Sequence, residues 1–282
     1  MDFARSLWLR IETLHALTYF GEETQEAGTA AGLGGFWMGY FGFRAAPMGA
    51  VAAGVVEATF SNFAPSFVAR WVPGVWEVAS PAGLIARRSE AAAATLRRVA
   101  PMVDEAARAA APWLDLAIAE GLGPGRPLFA ANRNVPLPGD PVEDLWQRCT
   151  TLREHRGDGH VAALATEGID GIEAHVLIAA DQGADPGDLQ RTRGWTADDW
   201  TGAVRRLQHR GLITADGGLT DHGRDLRQAV EDTTDRLAAA PFAHLSEVER
   251  TRLIDVLTPA ARAVATSGVI RYPNPMGLPP LA

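Results

Sequence analysis

The sequence predicts a mainly α-helical protein built from two related modules in tandem. Three observations carry this prediction: a repeat at an almost constant spacing, a stretch rich in proline and glycine between its copies, and helix start and stop signals in the second copy. With 282 residues, of which 47% are apolar, the chain is long enough to bury a large core. We expect the modules to dock through their long helices as a single-chain pseudo-dimer.

The repeat joins the two halves of the chain at several ordered points. A motif near the N-terminus, Leu7-Trp8-x-Arg10-x-x-Thr13-Leu14, recurs 138 residues later as Leu145-Trp146-x-Arg148-x-x-Thr151-Leu152. Further matches occur at a spacing of 140 residues: Ser80, Gly83, Arg87, Ala100, Pro101 and Asp115 correspond to Thr220, Gly223, Arg227, Ala240, Pro241 and Asp255. Because the matches keep one order and nearly one spacing, we infer an internal duplication.

Composition divides the chain into four parts. The stretch 122–141 is rich in proline and glycine and lacks periodicity, which is typical of a linker. It separates a first module at 1–121, which is rich in aromatic residues, from a second module at 142–267. The remaining segment, 268–282, contains too much proline for a helix. We expect this tail to lie extended over the body or to fray.

Helix signals are clearest in the second module. A capping-box-like start and apolar residues at three- and four-residue spacing predict a helix within Thr196–Gly211, which ends at the glycine. The segment Ile213–Leu219 contains Asp-Gly-Gly, which predicts a small hairpin. Hydroxyl residues at helix starts then predict two long helices, within Thr220–Ala239 and Ser246–Thr266.

This order of helices around a small hairpin resembles the winged-helix module of MarR-type regulators. The residues that carry the resemblance are Arg205–Leu212, Leu219–Gly223 and the helix rich in arginine and leucine that follows. In that family two protomers dimerise through their terminal helices, so the resemblance implies that the duplication places both protomers on one chain. The first module is then a degenerate copy. The sequence also resembles an uncharacterised actinobacterial helix-turn-helix family with the same Arg153–His160 segment and Asn274–Pro279 tail, which implies no particular activity.

Composition excludes several kinds of chemistry. All 26 basic residues are arginine, which excludes lysine Schiff bases, Walker-type phosphate binding and lysine general bases. Cys149 is the single cysteine, which excludes a disulfide framework and cysteine-based zinc or iron–sulfur sites. Charged residues interrupt the N-terminus, and the longest uncharged run, Ala27–Phe43, is short and contains six glycines. We therefore expect a cytoplasmic protein without a membrane span.

Ten of the 21 aromatic residues lie between positions 36 and 76. Two interpretations of this aromatic cluster remain open: a core filled by rings, or a pocket for a planar ligand. In a pocket, Arg44 would suit an anionic group of the ligand. The candidate ligand-binding residues in the cluster are Phe36, Trp37, Tyr40, Arg44, Phe60, Asn62 and Phe63.

The segment Arg153–His160 reads Arg-Glu-His-Arg-Gly-Asp-Gly-His and is unusually polar. One interpretation is an exposed helix end followed by a turn, with an Arg153–Glu154 ion pair. The other is a flexible ligand or catalytic loop, in which arginines hold an anion and histidines act as acid or base. The histidine spacing does not put two imidazoles on one helix face, so no metal site is predicted. The candidate residues are Arg153, Glu154, His155, Arg156, Asp158 and His160.

DNA binding is an alternative that the charge distribution does not favour. Winged helices contact phosphates and bases through a basic recognition helix and wing. The predicted wing tip, Asp216–Gly218, is acidic, and the first-module counterpart of the recognition region, Phe60–Trp71, holds a single arginine. Residues 1–140 hold 11 arginines against 13 acidic residues, and residues 141–282 hold 15 against 21. The candidate DNA-binding residues are Arg191, Arg193, Arg205, Arg206 and Arg210.

We therefore predict a protein that binds a small, planar, aromatic and anionic ligand between its modules, in a sensing, sequestering or resistance role. The site should lie between the cluster Phe36–Phe67 and the segment Arg153–His160. One alternative is a MarR-type transcriptional regulator that contacts DNA through the second module. The other is an enzyme with an acid–base site at His155 or His160. The sequence indicates no particular cofactor, and it allows either a monomeric pseudo-dimer or a homodimer.

Overall fold

The computed structural model describes residues 3–274 and 276–281 and is mainly helical within them, which confirms the predicted mainly α-helical class. None of the described helices holds an apolar stretch long enough to cross a bilayer. The described residues before position 121 form the helices α1 (Phe3–Phe20), α2 (Glu22–Ala30), α3 (Phe36–Ala45), α4 (Ala53–Phe60), α5 (Pro65–Val68), α6 (Gly74–Val78), α7 (Pro81–Val99) and α8 (Val103–Glu120). The later ones form α9 (Pro127–Arg133), α10 (Pro141–Thr166), α11 (Gly171–Gln182), α12 (Pro186–Arg193), α13 (Ala197–His209), α14 (Asp221–Ala239) and α15 (Glu247–Thr266).

Helix α10 lies at the centre of the molecule and packs against α1, α7, α8, α9 and α14. The largest hydrophobic core surrounds it and includes the buried side chains of Leu14, Leu96, Leu114, Trp146 and Leu257. Since these residues come from both halves of the chain, the halves share one core. Burial of this apolar surface from water is what holds them together.

Two smaller cores lie at the sides of the shared one. The first is formed by the aromatic cluster of α3–α7 and includes Phe41 and Val68. The second belongs to α11, α13, the turn after α13 and the start of α14, and it includes Ala203 and Leu207. Trp195, between α12 and α13, packs against both of these cores. The segment α11–α13 therefore has a core of its own and also touches the first half of the chain.

The predicted helix starts of the second half are confirmed. The Thr196 side chain accepts from the Asp199 N–H in a capping box, and Ser246 does the same for the Glu249 N–H. The predicted hairpin is reduced to one antiparallel bridge between Ile213 and Leu219. The turn between these residues is too short for regular strands, and it closes through the Thr214 N–H and the Gly218 carbonyl at 2.8 Å.

Helices α7 and α14 begin 140 residues apart and each contain 19 residues. Each starts at a hydroxyl residue whose oxygen accepts a backbone N–H three residues later. The Ser80 side chain accepts from the Gly83 N–H at 3.2 Å, and the Thr220 side chain accepts from the Gly223 N–H at 2.9 Å. The two helices therefore share their length and their N-terminal cap at the spacing of the sequence repeat.

The predicted linker at 122–141 is more than a connection, because it contains α9. Pro127 occupies the first turn of this helix, where its missing N–H costs nothing, and Leu128 and Phe129 are fully buried. The tail also packs: Leu278 and Leu281 join the shared core, and the described part of the tail contains no helix, as predicted. Of the predicted segments, Met1, Asp2, Pro275 and Ala282 lie outside the described residues.

Candidate functional site

The polar segment Arg153–His160 lies inside the central helix α10. Glu154, His155 and Asp158 are between 1% and 4% exposed, so both interpretations of this segment, an exposed helix end and a flexible loop, are wrong. Each glycine inside a helix costs about 1 kcal/mol relative to alanine, but packing on all sides compensates for it. Gly159 also makes room, because a Cβ there would lie 2.7 Å from the Arg126 guanidinium.

Glu154 is the centre of a buried network of ion pairs that joins α10 to α1 and α3. Its carboxylate accepts from Arg44 Nε at 3.0 Å and Nη2 at 3.1 Å, and from Arg153 Nη1 at 2.9 Å. Arg153 also donates from Nε to Glu12 at 3.2 Å. Burial would raise the pKa of Glu154, but the charges of Arg153 and Arg44 outweigh it and hold that pKa well below its usual range. The predicted Arg153–Glu154 ion pair is thus confirmed, and Arg44 faces a carboxylate of the same chain.

Arg156 belongs to a second network, which joins α10 to α1 and α14. Its Nη2 lies 3.0 Å from Asp235 Oδ1, and Arg5 contacts both Asp235 and Glu231 at 3.0 Å and 2.6 Å. His160 extends this network through a hydrogen bond of 3.0 Å between Nδ1 and Thr234 Oγ1. These contacts hold three helices together and use the polar groups of the predicted ligand loop.

His155 and Asp158 hold α9 against α10. The Asp158 carboxylate accepts from the Phe129 N–H at 2.9 Å, and the His155 ring meets the Phe129 ring edge-on at 4.8 Å. Burial lowers the pKa of His155 to about 3 and raises the pKa of Asp158 to about 7. Burial also lowers the pKa of His160. Both histidines are therefore neutral at physiological pH.

The aromatic cluster consists of rings that pack on one another. Phe41 contacts Phe60 and Phe63 at centroid distances of 5.9 Å and 5.0 Å, and all three rings are buried. The Arg44 guanidinium lies 4.1 Å from the Phe60 centroid and donates to the Tyr40 hydroxyl at 3.1 Å. Phe36 is 48% exposed, and Trp37, Tyr40 and Asn62 are half-buried. The cluster and the polar segment do meet, at Arg44 and Glu154, where their polar atoms pair with one another.

A cleft of about 550 Å³ lies elsewhere between the two halves, where α4 and α5 face α11 and α13. Its volume is within the usual range for small-molecule sites. Its lining is acidic and aromatic, with a single cation: Glu57, Asp170, Asp198, Asp199, Phe63, Trp195 and Arg206. Of the residues singled out from the sequence, only Phe63 and Arg206 line it. One local feature of the sequence could have indicated this cleft, namely the tryptophan that precedes the acidic first turn of α13.

The arginines proposed for DNA contact are mostly engaged within the protein. Arg206 pairs with Glu173 at 2.7 Å and with Asp170 at 2.8 Å. Two others also have partners within the protein: Arg210 donates to the two carbonyls that directly follow α10, and Arg191 forms an exposed pair with Asp188. Arg193 is buried over the Phe63 ring. Within the described part of the chain, only Arg205 of the five is exposed without an ion pair.

The elements that would face DNA carry acidic residues. Asp185 and Asp188 lie at the start of α12, Asp198 and Asp199 in the first turn of α13, and Asp216 in the turn that follows α13. All are exposed. Asp185 and Thr196 cap the two helices, so amide donors that could bind phosphate already have partners. Like charges on this surface oppose contact with a phosphate backbone.

Helices α12 and α13 are joined by a tight turn at Gly194, and α13 shares a small core with α11, which is a helix-turn-helix arrangement. The fold therefore defines a helix-turn-helix protein. The chain matches the family described as "Helix-turn-helix family" over residues 4–271 and belongs to it. Searches of curated proteins and of solved structures found no match.

Proposed function

We propose that this helix-turn-helix protein binds a small ligand in the cleft between its two halves. The observation that carries the proposal is the composition of the cleft walls. One wall comes from α4 and the turn before α5, and the other from α11 and the first turn of α13, the helix that corresponds to a recognition helix. A molecule bound there contacts both halves and that helix at once, as a sensing role requires.

We further infer that the halves arose by duplication of a MarR-like winged-helix module and pair as a pseudo-dimer. The matched length and cap of α7 and α14 support this, as does the packing of α1 on α10, which carry the first repeat motif. At the repeat spacing of 140 residues, the stretch of the first half that corresponds to α12 and α13 contains α4 and the four-residue helix α5. A single chain would then hold one complete helix-turn-helix unit and one degenerate unit.

The cleft favours a ligand that carries a positive charge on an apolar or aromatic body. Glu57 and Asp198 form no ion pair within the described residues, whereas the single cation, Arg206, is held by Asp170 and Glu173. Trp195 and Phe63 supply ring faces, and aromatic rings attract organic cations. This changes the ligand charge expected from the sequence. Arg44, the group expected to meet an anion, is paired with Glu154.

Calorimetric titration with two probes of similar shape tests this function. We expect benzyltrimethylammonium to bind one site per chain and benzenesulfonate not to bind. The variant Asp198→Asn should weaken cation binding about tenfold, since it removes one carboxylate of the cleft. Asp188→Asn is the matched control, because Asp188 is an exposed aspartate of the same unit outside the cleft. Preference for the sulfonate, or equal losses in both variants, would contradict the proposal.

A second candidate function is DNA binding through α13, and one observation favours it. Arg205 and His209 are exposed on the outer face of α13, on the opposite side from the buried Ala203 and Leu207. A gel-shift assay at two salt concentrations tests it. If this face contacts phosphates, Arg205→Ala should weaken binding for all sequences and reduce the salt slope by about 1. Binding that is unchanged in this variant would argue against α13 as the contact.

A further inference from the structure

The segment 61–67 of the first half, here named the latch, is docked on the helix-turn-helix unit 169–219. Its backbone forms three hydrogen bonds with that unit. The Ala64 N–H donates to the Arg193 carbonyl at 2.9 Å. The Asn62 carbonyl accepts from Trp195 Nε1 and from His175 Nε2, each at 3.2 Å. These bonds join the latch to α11 and to the turn between α12 and α13.

The fit depends on two glycines of the helix-turn-helix unit. A Cβ on Gly171, the first residue of α11, would lie 1.8 Å from the Ser61 carbonyl oxygen. A Cβ on Gly194, in the turn of the unit, would lie 2.3 Å from Phe67 Cβ. Any side chain at either position would push the latch away. At these two glycines the backbone of the helix-turn-helix unit is therefore in direct contact with the latch of the first half.

The latch is also a place where the chain holds unfavourable conformations and unpaired groups. Ser61 has φ +57° and is the one non-glycine residue with positive φ among those described. The buried Asn62 Oδ1 and His175 Nδ1 have no hydrogen-bond partner. Such features persist only when the surroundings impose them, and they occur at switch regions. Release of the latch would relax the Ser61 backbone and expose both atoms to water.

The helix-turn-helix unit is built to remain folded if the latch is released. It has a core of its own, formed by residues such as Ile172, Ala203, Leu207 and Leu212. It continues into the shared body through α10, which precedes it, and α14, which follows it. A unit with its own core and two connections can change its orientation as a rigid body.

We propose that the latch is a conformational switch that sets the orientation of the helix-turn-helix unit. In the docked state the backbone of 61–67 holds α11 and α13 against the first half. In the released state the unit keeps its fold and α13 takes up a second position. Ser61, Phe63 and Pro65 also line the cleft, so a bound ligand would act on the latch directly. That extension depends on the proposed ligand-binding function, whereas the switch itself does not.

Distance measurement between two spin labels tests the switch without any ligand. Labels on Ala215→Cys, at the tip of the unit, and on Glu26→Cys, on α2, report its orientation; both sites are exposed and the native Cys149 is fully buried. We expect one distance in the parent protein. In Gly194→Ala we expect a second population of about 10% or more.

The control is Gly183→Ala. Gly183 ends α11 with φ +69°, as Gly194 ends α12 with φ +78°, but a Cβ at Gly183 meets no atom within 4 Å. Both variants therefore carry the same backbone strain, and only Gly194→Ala displaces the latch. A second population in both variants, or in neither, would overturn the proposal.

A second pair of variants separates release from unfolding. Gly171→Ala displaces the latch at a position without positive φ, and Gly74→Ala, at the matching first residue of α6, meets open space. Hydrogen exchange should rise about tenfold in the latch of Gly171→Ala, whereas the amides around Ala203 and Leu207 remain protected. Loss of protection in that core would show that the contact is structural only and would overturn the switch.

Discussion

The two halves of the chain use the same part of the repeat in opposite ways. In the second half, α12 and α13 span eight and 13 residues and present an exposed polar face. In the first half, at the repeat spacing of 140 residues, α4 and α5 span eight and four residues, and Phe60, Phe67 and Val68 are buried among other rings. The second half has a helix-turn-helix unit with an exposed face, whereas the corresponding stretch of the first half fills a core and packs against that unit. Stretches at matching positions of the two halves therefore differ in their surroundings, which are solvent in the second half and aromatic rings in the first.

Helices α1 and α10, which carry the first repeat motif, also differ at corresponding positions. At the repeat positions of Arg153 and Glu154 in α10, helix α1 has His15 and Ala16. His15 pairs with the uncharged Thr150 and Tyr19, each at 2.9 Å. At these two repeat positions α10 therefore carries charges and α1 does not, although Arg5 and Glu12 of α1 join the charged networks of α10 from other positions.

The largest expected effect comes from removing the centre of the buried network. Glu154→Gln leaves Arg44 and Arg153 buried without a full counter-charge, which should lower the free energy of unfolding by about 3–5 kcal/mol. Asp188→Asn breaks the exposed pair with Arg191 and should cost about 1 kcal/mol or less. Urea unfolding of both variants measures the difference. Equal, small losses would mean that the network contributes no more than a surface pair.

Local patterns explain what could be predicted from the sequence. The capping side chains of Thr196, Thr220 and Ser246 bond to residues three positions later. The residues that determine each helix start therefore lie within one helical turn, where a sequence pattern can reveal them. The ion pairs of α10 are different, because Glu12 lies 141 residues from Arg153. Polar residues in a row therefore suggested exposure, when remote partners in fact bury them.

The cleft could not be predicted from the sequence for the same reason. Its walls come from α4 and α5 of one half and from α11 and α13 of the other, and no single stretch of sequence contains the site. The aromatic cluster was visible as a composition bias, but its rings fill the space they surround. A local excess of aromatic residues shows where a core or a binding site lies, but it does not show which of the two is present.

The next effect concerns pH and follows from groups that the two halves bury together. The pKa of Asp158 is about 7 because of burial, so between about pH 4 and pH 7 the folded protein holds a proton that the unfolded chain releases. Stability from this group therefore falls as the pH rises. Burial lowers the pKa of His155 to about 3 and of His175 to about 4, and these groups have the opposite effect. The stability that these two histidines contribute to the folded protein is lost as the pH falls below about 6.5.

We accordingly expect Asp158→Asn to make stability increase more steeply with pH between about pH 4 and pH 6.5, by at most about 1.4 kcal/mol per pH unit. The amide oxygen still accepts from the Phe129 N–H, so α9 stays in place. The other charges near the carboxyl, on Arg126, Glu154 and Arg44, are unchanged by the substitution. Denaturation midpoints at three pH values measure the slope. A slope equal to that of the parent protein would show that Asp158 ionises as in the unfolded chain.

The smallest effect compares the repeated caps of α7 and α14. Ser80→Ala and Thr220→Ala each remove a side-chain acceptor from a helix start and should each cost about 1 kcal/mol. The Thr220 hydroxyl also donates to the Gly211 carbonyl at 2.7 Å, which ties α14 to the end of α13. Thr220→Ala should therefore cost more than Ser80→Ala in urea unfolding. The reverse order would mean that the cap of α7 contributes more to the free energy of unfolding than the cap of α14 and its added bond to Gly211.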